Sequence, residues 1–439
     1  MLLAPVSARA ALIRANLVGL AVKGGSLTAG LAIAISLARL LGPSGYGVYA
    51  AAFALVSLAG VPMQLGLPTL VLRELTLYVH AGNWGLARGI LSWAYRVILV
   101  LSVAAGAIAL AAAMFAKHSG MAWAQTMTWA ACLVPLVAWN RVRESALLGL
   151  KRIAWAQVPD QLVTPLAYLA CLWGLALIMP GSVQPQNAMA AYVLCALAAF
   201  VFGSVLLVRF APRELRRATP ALQTAVWLRS VVPLSLVSGF GIVNGQIDLL
   251  ILSGLSNSTN AGLYRVAFTT AAMTSIVGAT IGNLMSSHYA ESFARADHAR
   301  LQRLVRYSAW AAFLPAAAVF VLLALFGTRL LSAAFGPGFA DAQTAVVLLS
   351  AGQTVNCAAG VVQTLLNMTG HARDTLKGVV AGALTNVVLN ILTVPHFGAV
   401  GAAAATSLGV VIENTVCCVF AWRRVHINTT VLPLLVRPA

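Results

Sequence analysis

Charged side chains are scarce in this 439-residue sequence. Only 9% of the residues are charged, and 10 aspartates and glutamates stand against 28 lysines and arginines. Charged residues normally make up about a quarter of a soluble domain, so this chain cannot cover a water-facing surface of its size. With 60% apolar residues and a mean hydropathy of +0.89, the chain is expected to have lipid as its solvent.

Cysteines and long connections are also few. The 6 cysteines fall inside apolar stretches without metal-ligand spacing, so we expect packing residues and neither a metal nor a cofactor. No connection between apolar stretches is long enough to fold as a separate domain outside a membrane. The sequence therefore argues against an enzyme with its own catalytic domain.

Long apolar runs are what the sequence has instead. Crossing a bilayer takes about 20 residues of helix, and lipid admits only helices or closed barrels. Since the alternation of barrel strands is absent, we predict an all-α integral membrane protein of about twelve transmembrane helices. The first is expected to be retained, because no small-residue cleavage site follows it. The predicted spans are 16–40, 46–71, 88–115, 121–140, 158–180, 188–208, 230–253, 261–287, 307–331, 344–368, 376–394 and 399–421.

The positive charges alternate from one connection to the next. With the N-terminus placed inside, most of the 28 lysines and arginines lie in inside connections, and only Lys117 and Arg329 lie in outside ones. The positive-inside rule gives this pattern for an even number of helices with both termini in the cytoplasm. The pattern thus predicts an inner-membrane protein and accounts for the net charge of +18, so no nucleic-acid partner is expected.

The two halves of the chain share a plan. Gly45-Tyr46-Gly47-Val48-Tyr49 opens the second span, and Ala261-Gly262-Leu263-Tyr264 opens the eighth, with Gly47 and Gly262 separated by 215 residues. An offset of six helices preserves direction, so the halves are expected to be parallel repeats about an axis along the membrane normal. We predict two six-helix bundles related by pseudo-two-fold symmetry, 1–215 and 216–439.

Seven charged residues lie inside predicted spans, where a charge usually faces a bundle interior. Three of them are near enough to a predicted interface to reach water. Three others lie deeper and at similar depth, so an ion pair that orients helices and a cationic cavity for an anion are both open. The residues near an interface are Arg39, Asp160 and Arg265; the deep ones are Lys23, Arg96 and Glu413; the seventh is Asp248.

Uncharged polar residues form stripes on the second-half spans. Asn244 lies one turn from Asp248 and shares its face. Span 10 carries one uninterrupted polar stripe, and span 11 carries a second. Amides can bond helices together in lipid, but a stripe along most of a span favours a wet cavity for hydroxyl-rich cargo. The stripes are Gln353, Asn356, Gly360, Gln363 and Asn367 on span 10, and Asn386, Asn390 and Thr393 on span 11.

Three stretches resemble a known family. Residues 38–49 are similar to the first inter-helix motif of the Wzx-type polysaccharide flippases, which belong to the multidrug/oligosaccharidyl-lipid/polysaccharide (MOP) exporter superfamily. Residues 247–264 resemble that family's seventh-to-eighth helix segment, and residues 390–403 its penultimate junction. Asp248 matches the family's acid on span 7, and Arg39 matches its first-junction arginine.

The resemblance implies a V-shaped alternating-access transporter with a largely cationic cavity. Its implied cargo is an undecaprenyl-pyrophosphate-linked oligosaccharide repeat unit, turned from the cytoplasmic to the periplasmic leaflet of the membrane lipid. A polysaccharide polymerase is the expected protein partner. We expect Lys23, Arg39 and Arg96 to bind the anionic cargo. Asn244, Gln353, Asn356 and Gln363 are expected to line the same cavity, and Asp248 and Glu413 to couple transport to an ion or proton.

Other classes of function remain open at this point. A drug, metabolite or lipid exporter of the same superfamily would favour acids and aromatics in its cavity, whereas the first-half spans here are basic. A membrane polymerase or ligase would need a long outside loop with clustered polar groups, but residues 332–343 offer only Asp341. A scaffold for a synthase complex is the third alternative.

Overall fold

The computed structural model is all-α over the residues it describes, which are 6–60, 66–118, 124–181 and 183–431. Side chains at 6–23, 108–118, 153–154, 230 and 232–244 lie outside this description. The helices are α1 (Val6–Ala59), α2 (Leu67–His80), α3 (Trp84–His118), α4 (Ala124–Gly149), α5 (Ile153–Val158), α6 (Thr164–Ile178), α7 (Pro185–Phe210), α8 (Arg213–Arg217), α9 (Thr224–Leu255), α10 (Ser258–Ala294), α11 (His298–Phe335), α12 (Gln343–Ala358), α13 (Val362–Met368) and α14 (Ala372–Val425).

Several helices are long and apolar enough to cross a bilayer. Within the described ranges 6 helices meet this condition, or 7 if α12 and α13 form one bent span. The longest two, α1 and α14, each contain a non-helical glycine, Gly42 at φ 64° and Gly398 at φ 51°. These left-handed conformations suit glycine and divide each helix into two. Over the described residues each of the twelve predicted spans lies largely on these helices, and the chain is an all-α multi-pass membrane protein.

By their contacts the residues form two compact units, which we call unit 1 (1–41 and 48–246) and unit 2 (42–47 and 247–439). In unit 1, α4 packs against α2, α3 and α7. This central helix buries polar as well as apolar side chains, including Asn140 and Arg143. The division of the chain at residue 215, which the repeat indicates, stays a prediction.

Unit 2 is organised around α12, which packs against α10, α11 and α14. A second apolar cluster joins α10, α11, α13 and the end of α14, with Tyr289, Leu301, Leu365 and Ala421 fully buried. A connection of six residues, Pro337–Ala342, forms a 3₁₀ turn between α11 and α12. Unit 2 therefore brings the end of α9, both halves of α14 and the α12–α13 pair into one packed body.

The repeated glycines meet inside unit 2. A Cβ atom on Gly47 would lie 1.7 Å from the carbonyl oxygen of Ser258, and one on Gly262 would lie 2.0 Å from that of Pro43. The hydroxyls of Ser44 and Ser258 are 2.9 Å apart. The two repeated junctions are thus packed backbone to backbone, and only glycine fits at either position.

Candidate functional site

A buried acid on α9 is the best-formed polar centre of unit 2. Asp248 is 4% exposed. Its Oδ2 accepts hydrogen bonds from the Tyr264 hydroxyl at 2.7 Å and from the Thr406 hydroxyl at 3.0 Å. Its Oδ1 accepts one from the Asn390 amide at 2.9 Å. Helices α9 and α10 and both halves of α14 therefore converge on one carboxyl group.

The partners of Asp248 are all uncharged. Among the residues described, no lysine or arginine forms an ion pair with it. The Asn390 amide nitrogen is shared with Asn386, and the Asn390 side-chain oxygen has no hydrogen-bond partner. A buried carboxylate with only neutral donors is costly unless it binds a proton or a cation. Asp248 is therefore the candidate proton or cation site of unit 2.

Sequence reasoning found part of this centre. Asp248 and the polar stripe with Asn386 and Asn390 were both predicted, on separate helices. Tyr264 was noted as a repeat position, not as a partner of the acid. Thr406 was missed because it is one hydroxyl in an alanine-rich stretch, and nothing in the local pattern distinguishes it.

A second acid of unit 2 pairs with an amide. The Gln363 amide on α13 donates to Glu413 Oε1 on α14 at 2.6 Å. The backbone of Gly382 packs against Glu413, because a Cβ atom on that glycine would lie 2.7 Å from the Glu413 Cβ atom. The structure thus places Gln363 and Glu413 together, whereas the predicted pairing of Glu413 with Lys23 or Arg96 stays a prediction.

Gln363 also lines a polar cavity of about 240 Å³. Hydroxyl and amide groups contribute to its wall, which Asn356, Thr364 and Asn414 share with Ser275. Two of the predicted cargo-binding amides, Asn356 and Gln363, therefore face one cavity. Gln353 does not line it, but its side-chain oxygen accepts from Asn356 at 3.4 Å.

The uninterrupted polar stripe expected on span 10 is wrong. Helix α12 ends at Ala358 and α13 begins at Val362, and the two are bent by 41°. Gly360 takes a left-handed φ of 74° at the break. The break, not helical periodicity, brings Asn356 and Gln363 to the same cavity.

The predicted basic residues belong to unit 1. Arg96 is exposed on a face of α3 that also carries Leu99, Val100 and Val103. Arg39 is exposed on α1. The side chains of Lys23 and Asn244 lie outside the described residues, so their predicted roles stay predictions.

Asp160, for which reaching an interface stays a prediction, has an ion-pair partner in unit 1. It sits in a π-helical turn, Pro159–Val163, and accepts a hydrogen bond from the Arg143 guanidinium at 2.5 Å. Arg143 has no exposed side-chain surface and also donates to the Ala199 carbonyl at 2.7 Å. Sequence reasoning counted Arg143 as an inside-loop charge, because α4 extends further than the predicted span.

Both units therefore carry polar groups in a membrane-spanning fold. The chain is a multi-pass membrane protein with the fold of MOP-superfamily transporters. It is similar to an inward-facing MATE-family multidrug transporter of that superfamily, at 15% identity and a TM-score of 0.75, over 92% of this chain and 94% of that one. It is also similar to the inward closed form of the lipid II flippase MurJ, at 11% identity and a TM-score of 0.69, over 93% of this chain and 87% of that one.

Residues 16–285 match the model of the polysaccharide biosynthesis protein family. This match covers more than half of the chain, and the protein belongs to that family. It is 23% identical over 201 residues to a Haloferax volcanii protein described as a probable low-salt glycan biosynthesis flippase, Agl15, over 45% of this chain. The chain spans 33% and 42% of the length of the curated relatives it matches.

Proposed function

We propose that this protein is a flippase that moves lipid-linked oligosaccharides across the inner membrane for polysaccharide biosynthesis. The observation that carries the proposal is the match of residues 16–285 to the polysaccharide biosynthesis family in a chain with a transporter fold. The likeness to Agl15 and MurJ, both described as flippases, supports the same class. The protein acts as a transporter and not as an enzyme.

The proposed cargo is an oligosaccharide repeat unit on undecaprenyl pyrophosphate. Such a headgroup cannot cross hydrocarbon unaided, because removing its charges from water costs far more than a gradient supplies. Lys23, Arg39 and Arg96 bind the pyrophosphate, for which arginine offers two parallel donors. The exposed position of Arg96 within a predicted span supports this role, since a charge facing lipid alone would be costly.

The sugar is bound by neutral groups. Asn356 and Gln363 line a cavity with hydroxyl and amide walls, which suits uncharged hydroxyl-rich cargo. Gln353 supports Asn356 through their hydrogen bond, and Asn244 is proposed as a further cargo-binding amide from its place in the sequence. Amides both donate and accept, so they match sugar hydroxyls without selecting for charge.

Coupling is assigned to the two acids of unit 2. Asp248 has only uncharged partners, and Glu413 accepts from an amide. Occupation of Asp248 by a proton or small cation changes the charge at the point where four helical segments meet. That change favours one conformation over another only if the two conformations bind the ion with different affinities.

The protein is placed in the bacterial inner membrane with both termini in the cytoplasm, as the arginine pattern indicates. The flipped units pass to a polysaccharide polymerase as partner. A second candidate is the export of a drug or metabolite, which the TM-score of 0.75 to a MATE-family transporter favours.

Deletion of the gene tests the proposal. We expect loss of surface polysaccharide, with lipid-linked repeat units accumulating on the cytoplasmic face, and restoration by the wild-type chain. Lys23→Gln with Arg96→Gln should not restore export, whereas the change Arg329→Gln, at an exposed position of α11, should. Increased sensitivity to toxic cations with normal polysaccharide would instead favour the exporter. Full restoration by the double variant would remove Lys23 and Arg96 from cargo binding.

A further inference from the structure

A large apolar groove lies in unit 2, next to the polar cavity, with which it shares Asn414. Its volume is about 900 Å³, and most of its lining is aliphatic or aromatic. Trp310 and Phe313 of α11 form one side, Val355 of α12 a second, and Val411, Val419 and Trp422 of α14 a third. Val355, Val419 and Trp310 are each about two-fifths exposed, so the groove is open to its surroundings.

The groove has the length of one membrane leaflet. Its lining residues on α14 run from Val411 to Arg423 at helical spacing. Twelve steps of helical rise correspond to about 18 Å, against about 15 Å for half of a bilayer core. On the predicted topology this half is the cytoplasmic one, where cargo made in the cytoplasm is loaded.

The two ends of the groove differ in charge. One end carries Arg423 beside Trp422, and the other carries Val411 and the neutral Asn414, which also lines the polar cavity. Among the described residues Arg423 forms no ion pair, whereas its neighbour Arg424 lies 3.7 Å from the carboxylate of Asp374. An anionic group can therefore bind at the Arg423 end while an attached hydrocarbon chain lies along the apolar part of the groove.

The wall beside Arg423 is fixed by the segment that follows α14. The Gln302 amide donates to the Asn428 carbonyl at 2.7 Å, and the Val431 amide donates to the Ala358 carbonyl at 3.0 Å. The Cys418 thiol lies 3.3 Å from the Thr429 hydroxyl. These contacts hold the groove open as part of the packed unit.

We propose that this groove binds the polyprenyl chain of the cargo during loading, with the lipid phosphate at Arg423 before Lys23, Arg39 and Arg96 bind it. The inference rests on the proposed function and adds a lipid subsite to it. Aromatic side chains give broad contact to a branched hydrocarbon, and a phosphate at the interface complements the one guanidinium of the groove. The subsite holds the lipid while the cargo is loaded from the cytoplasmic side.

A photoreactive polyprenyl phosphate tests the proposal. The purified full chain, in nanodiscs of phosphatidylcholine, is cross-linked to this probe, and labelled peptides are mapped by mass spectrometry. We expect labels on 411–423 and near Trp310. Val419→Trp fills the groove and should lower this labelling about tenfold, as should Arg423→Ala, since loss of one charge-assisted contact is an effect of this size.

Matched variants separate the subsite from general effects. Leu408→Trp adds the same bulk at an exposed position of α14 outside the groove, and Arg424→Ala removes the same charge beside it; neither should lower labelling. All variants are checked for a single monodisperse peak and an unchanged melting temperature. Equal loss in Arg424→Ala, or labels confined to other helices, would overturn the subsite and leave the flippase intact.

Two competing occupants have distinct outcomes. Displacement of the probe by phosphatidylglycerol as readily as by polyprenyl phosphate would assign the groove to ordinary anionic lipid. A gain of labelling in a chain ending at Val431 would assign it to residues 432–439 of the protein itself. Either result contradicts the proposal. Absence of label anywhere on the chain would count against the proposed polyprenyl-linked cargo as well.

Discussion

Asp248 shows how one repeat acquired chemistry that the other lacks. The position 215 residues earlier is the apolar Ile33, although Tyr264 keeps its counterpart Tyr49. In unit 1 the Tyr49 hydroxyl accepts from the Tyr168 hydroxyl at 3.1 Å, whereas in unit 2 the Tyr264 hydroxyl donates to Asp248. A shared tyrosine therefore serves a neutral contact in one repeat and a buried acid in the other.

Replacing Asp248 with asparagine tests its role in coupling. Asp248→Asn keeps the size of the side chain but removes the charge, so transport driven by an ion or pH gradient should fall about tenfold or more. Cargo binding without a gradient should change little. The control Asp341→Asn alters an exposed acid in the turn before α12. Gradient-driven transport at the wild-type rate in Asp248→Asn would contradict the assignment.

The Arg143–Asp160 pair should matter for stability. Asp160→Asn leaves the buried guanidinium without its counter-charge, and breaking one side of a buried pair costs about 3–5 kcal/mol. The exposed pair Glu291–Arg295 is the control, because Glu291→Gln should cost at most about 1 kcal/mol. Thermal unfolding in detergent measures both. Equal melting temperatures for the two variants would show that the buried pair carries no net stability.

At the scale of helices, the glycine junction of unit 2 packs backbone against backbone. Gly262→Ala would put a methyl group 2.0 Å from the Pro43 carbonyl oxygen, so the junction must open. Overpacking of this kind costs about 1–3 kcal/mol. Gly254→Ala is the matched control, because a Cβ atom there meets nothing within 4 Å.

Melting temperatures of the two alanine variants measure this difference. Gly262→Ala should melt several degrees below the wild-type chain, and Gly254→Ala at or above it, since alanine favours a helix over glycine. Similar melting temperatures for both variants would mean that the junction opens at little cost. That result would contradict the inference that only glycine fits at these two positions.

Hydropathy and charge predicted the helical segments well but not their breaks. Spans could be predicted because lipid requires about 20 apolar residues for each crossing. The break at Gly360 carries no proline. A Cβ atom on Gly360 would lie only 2.4 Å from the Thr429 carbonyl oxygen, so only glycine fits there. That contact comes from a segment almost 70 residues later, so no local pattern indicates it.

The candidate site was predictable in part for the same reason. Asp248 and Asn390 each stand out as polar residues in apolar helices, yet their pairing depends on how α9 and α14 pack. Arg143 resembles a loop charge in sequence, and only the packing of α4 against α7 reveals it as buried. The chemistry of each side chain can be predicted from the sequence, whereas its partners depend on tertiary packing.

At the scale of the whole molecule, composition and fold define a multi-pass membrane protein, and the family match places it in polysaccharide biosynthesis. Sparse charge excludes a soluble domain, and the alternating arginines indicate an even number of spans. The fold likeness to a MATE-family transporter and to MurJ covers more than nine-tenths of this chain in each case. Movement of cargo across a bilayer is therefore the activity to test.

Reconstitution measures that activity most directly. The purified chain is placed in liposomes that contain a tagged undecaprenyl-pyrophosphate oligosaccharide, and an impermeant reagent reports how much tag is on the outside. We predict that tag moves between leaflets when a gradient is applied, and that Asp248→Asn liposomes retain it on the starting side. The proposal would be contradicted if the tag remains in its starting leaflet under every gradient in liposomes that contain folded wild-type protein.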